Sequence, residues 1–155
     1  MRILVQRIKT ARVIVESQQA AAIGQGLLLF VGISKDDTLN DLEYLCNKVL
    51  NLRIFPDSEG KMNLSIRQIN AEILSVPQFT LYADISKGNR PGFEEAAESP
   101  VAKGLWEKFD SLLIENGVIV KRGVFGVDMQ VELVNDGPLT IWLDSKKKGG
   151  GLKKI

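Results

Sequence analysis

The chain contains no histidine. That absence removes His–Ser and His–Cys nucleophile pairs, His metal ligands and imidazole acid–base chemistry together. A single cysteine, Cys46, excludes an internal disulfide framework and a multi-cysteine zinc site. Long apolar runs are missing too. The longest, residues 26–33, is far too short to span a bilayer, and charges interrupt the opening MRILVQRIKT. Neither a signal peptide nor a membrane partner is expected, and with one thiol the expected location is cytoplasmic. Charge of one sign is also scarce: the formal net charge is +1. Five lysines fall in the last ten residues, so residues 1–144 carry fifteen Lys and Arg against nineteen Asp and Glu. Such a body is no general polyanion binder, and any nucleic-acid contact must be local or use the basic tail.

What is present is ordinary globular material, 45% hydrophobic and 25% charged. A chain of 155 residues buries roughly two-thirds of its unfolded surface and needs no staple to hold a core. No repeat or low-complexity linker divides the body. One domain is expected over residues 1–145, followed by a flexible Lys/Gly-rich tail over 146–155. The tail is either simply solvated or helps to hold an RNA backbone.

Ile3 and Val5, then Val13 and Val15, alternate with polar neighbours as half-buried strands do. Residues 24–33 (GQGLLLFVGI) form a continuous apolar run, suited to a central strand covered on both faces. A helix follows, with capping chemistry at Asp36 and Asp37 and a stripe of Leu39, Leu42, Leu45, Cys46, Val49 and Leu50. Cys46 on that stripe reads as a core thiol. Residues 71–83 form a β-rich run broken by Pro77. Ser99-Pro100 announces a second helix whose face is Val101, Ala102, Leu105, Trp106, Phe109, Leu112 and Leu113, ended by Asn116-Gly117. Strands near 118–122, 128–134 and 139–143 complete an α+β fold with a strongly curved, barrel-like sheet and two main helices packed outside.

Three segments carry residue types that plain structure does not require. In Ser75 to Leu81, Pro77 removes a ladder donor from an otherwise central strand. The segment either marks a strand end or frees backbone N–H groups near Gln78 and Thr80 to hold a carbonyl oxygen or oxyanion. In Gly123 to Met129, two glycines flank Phe125. They imply either a bulged hairpin entry or a chain closely approached, with Phe125 and Met129 lining an apolar slot for a flat ring. Asn135-Asp136-Gly137-Pro138 reads as a turn between two strands, and its Gly-Pro peptide can be cis.

Along these residues the chain resembles the D-aminoacyl-tRNA deacylases, once called D-tyrosyl-tRNA deacylases. The resemblance begins at Val5-Gln6-Arg7 and runs through residues 24–32, Asn51 to Phe55, Gln78 to Asp84 and Lys87 to Pro91. It ends with residues 123–140, and so covers residues 1–144 in order. It implies a homodimer that hydrolyses the ester between a D-amino acid, or glycine, and the 3′-terminal adenosine of tRNA, with each site at the subunit interface. Gly137-Pro138 of one subunit is then expected to enter the partner's pocket, its peptide cis and its carbonyls blocking L-side chains. Arg7 matches the residue that holds this segment. Pro77 and Gln78 to Leu81 match the pocket floor, with N–H groups around Phe79 and Thr80 facing the ester carbonyl. Phe125, Gly126 and Met129 match the adenosine segment. The implied reaction uses no metal or cofactor, because the terminal ribose 2′-OH assists and the protein positions ester and water. A nucleophilic Thr80 is the weaker option, since no base stands beside it in the sequence.

The chain departs from the pattern in places. Pro77 replaces the usual serine, and a Pro-Gln motif there also resembles a subgroup that edits L-alanine from mischarged tRNA. Arg7 and Asn135 to Pro138 point back to the D-specific type. Gly92 and Leu139 replace a common serine and valine, and Arg122 stands where a smaller residue is usual. The rivals are therefore an L-alanyl-tRNA editor and a non-catalytic nucleic-acid-binding module.

Overall fold

The computed structural model describes residues 1–147. Its spine is β1 (Arg2–Val15), a single strand of 14 residues. One edge of β1 is shared between β3 (Gly26–Gly32), paired with its first half, and β2 (Gln18–Ile23), paired with its second. The other edge carries the 15-residue β8 (Gln130–Asp144) along most of its length. Beyond β3 lie β6 (Glu72–Pro77) and β7 (Val120–Arg122), both added in parallel. The order β2-β1-β3-β6-β7, with β8 on β1, curls into a nearly closed barrel. Lys121 on β7 reaches across to the Ala22 carbonyl of β2 at 3.0 Å. A two-stranded hairpin, β4 (Phe55–Pro56) and β5 (Met62–Leu64), stands apart.

The apolar run at β3 is explained by two cores. Leu27, Leu29 and Val31 face the helices, whereas Leu28 packs with Ile8, Val13, Leu74 and Val76 on the opposite face. A strand covered on both sides has no place for polar residues. The helices α1 (Leu39–Asn51) and α2 (Ser99–Glu115) close the first core with Leu42, Leu45, Val49, Trp106, Phe109 and Leu113. Burial of a side chain such as Phe109 contributes about 2 kcal/mol. Cys46 lies in this core as expected, and burial pushes its thiol up to about 11. No helix among the described residues is long and apolar enough to cross a membrane.

Several sequence expectations are corrected. The first helix is capped by Thr38 rather than Asp36 or Asp37. The Asp41 carboxylate reaches back to the Thr38 N–H at 3.0 Å and hydroxyl at 2.9 Å, half of a capping box. Asp37 instead takes the Ser34 N–H at 2.7 Å and the Met1 amino group. Leu39 and Val101, assigned to apolar stripes, are mostly exposed. Glu98 occupies the cap position of α2, with Ser99 and Pro100 already in its first turn. The two strands expected on either side of residues 135–138 are one strand, β8. Its pairing with β1 jumps from Ile8–Asn135 to Gln6–Thr140, so residues 136–139 bulge out opposite Arg7. Of the tail expected from residue 146, Lys146 lies in a 3₁₀ turn, Ser145–Lys147, with its Nζ 3.5 Å from Asp41. The tail beyond residue 147 lies outside the described residues.

Candidate active site

Pro77 ends β6, and the chain turns at once into a 3₁₀ turn, Phe79–Tyr82. The Gln78 N–H still reaches Val31 on β3 at 2.7 Å. The next two donors, on Phe79 and Thr80, open the turn and have no partner within it. Gln78 donates through Nε2 to Thr80 Oγ1, so this neighbour does not draw a proton from the hydroxyl. The Leu81 carbonyl accepts from Arg2 Nη1 at 2.9 Å, and the same guanidinium lies over the Tyr82 ring at 4.4 Å.

Beside this turn is a cavity of about 550 Å³. Pro77, Gln78 and Phe79 line one side, Phe125, Gly126 and Met129 the other, and Trp106 forms part of the wall. Phe79 is exposed and meets Phe93 edge-on at 4.9 Å. The two glycines flanking Phe125 are needed for different reasons. A Cβ on Gly123 would come within 2.9 Å of Met129 Sδ, whereas Gly126 turns the chain at φ +77°. The hairpin alternative does not apply, because β7 pairs with β6 and β8 with β1.

Arg7, Gly137 and Pro138 do not line this cavity. They form a second cluster on β1 and the β8 bulge, where the Gly137-Pro138 peptide is cis. Arg7 is buried. Its Nε lies 2.8 Å from Asp136 Oδ2, and its Nη1 donates to the Ile54 carbonyl. Asn135 Nδ2 bridges the Arg7 carbonyl at 2.9 Å and the Leu139 carbonyl at 3.1 Å. Of the expected site residues, the structure thus brings Pro77, Gln78, Phe79, Phe125, Gly126 and Met129 to one pocket. Thr80 and Leu81 sit on the adjoining turn, and Arg7, Gly137 and Pro138 are elsewhere on the same chain.

Sequence reasoning passed over Trp106 and Asp110. Trp106 is the core aromatic that the stripe predicts, and its indole N–H also donates to Ser75 Oγ at 2.8 Å beside the pocket. Asp110 is fully buried on α2, where Arg122 Nε meets its Oδ2 at 2.9 Å. Burial raises the Asp110 carboxyl to about 6, against the opposing pull of Ser75 and Arg122. Helical spacing marks both residues as inward-facing and carries no further signal.

The fold and pocket define an α+β protein with a cavity that has an open turn start at its edge and mostly apolar walls. The family model for D-Tyr-tRNA(Tyr) deacylase matches residues 4–144. A D-aminoacyl-tRNA deacylase of Thermotoga petrophila is 55% identical over 147 residues, covering 95% of this chain and 99% of that protein. Among solved structures, the c-Myc DNA unwinding element binding protein is 41% identical with a TM-score of 0.89, covering 93% of this chain and 98% of that one. A probable eukaryotic D-amino acid tRNA deacylase shares the fold at 20% identity, with a TM-score of 0.78, covering 92% and 97%. The chain belongs to the D-Tyr-tRNA(Tyr) deacylase family, a family of hydrolases.

Proposed function

We propose that this protein hydrolyses the ester joining a D-amino acid, or glycine, to the 3′-terminal adenosine of tRNA, as a cytoplasmic homodimer that proofreads chirality in translation. The observation that carries the reading is the open start of the turn at Phe79 and Thr80, at the edge of an apolar cavity of about 550 Å³. That size suits a small ligand. Two fixed N–H donors at a carbonyl stabilise the oxyanion that forms on attack, each by roughly 10²–10³ in rate. Phe125 and Met129 offer the adenine a flat apolar slot. Thr80 serves through its backbone N–H, because a nucleophilic hydroxyl needs a base and Gln78 is a donor to it.

Two copies of the chain explain why the site residues fall in two clusters. The Asp136–Leu139 bulge of one protomer enters the cavity of the other. There it crowds the face of the substrate α-carbon where an L-side chain would point, while D-side chains and glycine pass. Arg7 holds the bulge through Asp136.

Pro77 favours a second reading, the L-alanyl-tRNA editor, and the name of the 41%-identical neighbour favours a third, a nucleic-acid-binding module. Single-turnover hydrolysis of D-Tyr-tRNA, Gly-tRNA and L-Ala-tRNA, side by side, separates them. Loss of the first two with L-alanine spared is expected. L-alanine cleavage assigns the editor. Sparing of all three, with binding that weakens steeply in salt and vanishes on removing residues 146–155, assigns the binding module.

A further inference from the structure

The segment from Lys87 to Pro91 has no part in the proposed hydrolysis. It forms the tip of a loop that is tied down at its base. Asp84 and Gly92 exchange backbone hydrogen bonds, the Asp84 N–H to the Gly92 carbonyl at 2.9 Å and the Gly92 N–H to the Asp84 carbonyl at 2.8 Å. Both legs end at the cavity. Asp84 follows the turn Phe79–Tyr82 by two residues. Phe93, next after Gly92, packs edge-on at 4.9 Å against Phe79, which lines the cavity. Seven residues separate the bridge partners, so the tip stands at most about 12 Å from the bridge.

The tip is basic, and its charge is unspent. Residues 85–91 include Lys87 and Arg90, contain no acid, and are all exposed. Many exposed cations elsewhere lie on a carboxylate: Arg12 on Glu132 at 2.6 Å, Lys35 on Glu95 at 2.9 Å and Lys121 on Glu72 at 3.3 Å. Among the described residues, nothing is hydrogen-bonded or ion-paired to the side chain of Lys87 or Arg90. Asp84 acts on Lys87 through space, but its carboxylate is taken by the Ser86 N–H at 2.8 Å. Two like charges in so short a tip repel each other, and a bound polyanion relieves that repulsion. Ile85 in the same loop and Phe79 at its foot are exposed as well. Cations beside exposed apolar surface suit a single strand, which offers both phosphates and base faces. The stretch after the loop has the opposite sign. Glu94, Glu95 and Glu98 are exposed there, Glu95 held by Lys35. A polyanion leaving the cavity is repelled along residues 94–98 and attracted at the tip, which gives it a direction.

We propose, on the deacylase reading, that the 84–92 loop is a second subsite, in which Lys87 and Arg90 hold phosphates of the unpaired nucleotides that lead to the terminal adenosine. Arg90 supplies a planar donor fork that matches a phosphate, and Lys87 a point charge.

Two esters test this in the full-length protein: D-Tyr-tRNA, and 3′-O-(D-tyrosyl)adenosine, which has no phosphate. Lys87→Ala combined with Arg90→Ala should raise the enzyme concentration that half-saturates cleavage of D-Tyr-tRNA about 10–100-fold, at an unchanged saturating rate. The slope of log affinity against log salt should flatten by about 1.4, for two contacts to a single strand. Lys87→Arg combined with Arg90→Lys should keep the slope, and the adenosine ester should be cleaved by every variant as by wild type. Wild-type cleavage and salt slope on D-Tyr-tRNA in the alanine variant overturn the subsite. So does an equal loss on both esters, which would make the loop a support of the cavity. If wild type cleaves neither ester, the deacylase reading fails, and the same variants are read by binding of uncharged tRNA. There an unchanged salt slope overturns the subsite, and a flattened one sustains it.

Discussion

The pocket and the β8 bulge, the two clusters that the proposed site brings together, are held by opposite means. The pocket is shaped by packing from four directions: β6, the turn after it, α2 and the 123–129 loop. Its polar bonds lie behind the wall, at Ser75 and Asp110. The bulge packs on the core only through Leu139. It is fixed by Arg7, Asn135 and Asp136 through a handful of directed polar contacts. A surface held by packing degrades gradually under substitution, whereas one held by three side chains fails at a single residue while the rest of the fold persists.

The sharpest way to break that comparison is complementation. Arg7→Ala should disable the bulge, and Gln78→Ala the pocket, each lowering single-turnover deacylation about 100-fold. Unfolding and remixing the two should restore about a quarter of wild-type sites, because half of the dimers regain one intact pair. No recovery on mixing would mean that pocket and bulge do not meet across subunits.

Next in size is the pH dependence of stability on the pocket side. The folded-state carboxyl of Asp110 is raised to about 6, so the folded chain binds this proton before the unfolded chain does. The resulting stabilisation is fully present below about pH 4, is lost as pH rises through about 6, and is on the order of 2–3 kcal/mol. Asp41 has the opposite sign. Burial pushes it up, but bonds from Thr38 and Ser145 and the charge of Lys146 outweigh this and hold it well below the usual range. Its contribution is present above about pH 4 and lost on further acidification. Melting temperatures of wild type and Asp110→Asn should therefore converge between pH 7 and pH 4.5; parallel curves would contradict the burial of a charged Asp110.

A smaller effect is expected at Gly126, where φ is +77° and a Cβ would meet nothing within 4 Å. Gly126→Ala should cost about 1 kcal/mol in urea unfolding, from backbone strain alone. The smallest is at Cys46. With its thiol at about 11, roughly one molecule in a thousand is thiolate at pH 8. Thiol reagents should leave the native protein unlabelled and react once urea unfolds it.

How much was legible follows from how local each signal is. β3 announces itself because both of its faces are buried, so its composition alone carries the message. The stripe of α2 is read correctly at Trp106, Phe109 and Leu113 because helical spacing gathers them on its one buried face. Pro77, Gly123 and Gly126 mark the pocket because each breaks a local rule. The β1–β2 hairpin was not legible. Glu16 and Ser17 take positive φ, 48° and 63°, in a two-residue turn that normally displays glycine or asparagine. Asn135 to Pro138 was read as a turn because a bulge and a hairpin use the same residues. What distinguishes them is Arg7 opposite, more than a hundred residues earlier. The pairing of Asp110 with Arg122 joins α2 to β7, and no pattern within either segment announces it.

The long first strand has a consequence for how this protein tolerates changes in length. Arg2 steadies the turn after Pro77 and Arg7 steadies the bulge, and both extend from β1. Their separation is five residues of extended chain, about 17 Å. A residue inserted or deleted between them would send one arginine to the wrong face of the sheet and shift the turn relative to the bulge. Insertions are expected to be accommodated at the tips of the hairpins, at Glu16-Ser17 and at Asp57 to Gly60. The interval from Arg2 to Arg7 is a fixed measure against which both the turn and the bulge are set.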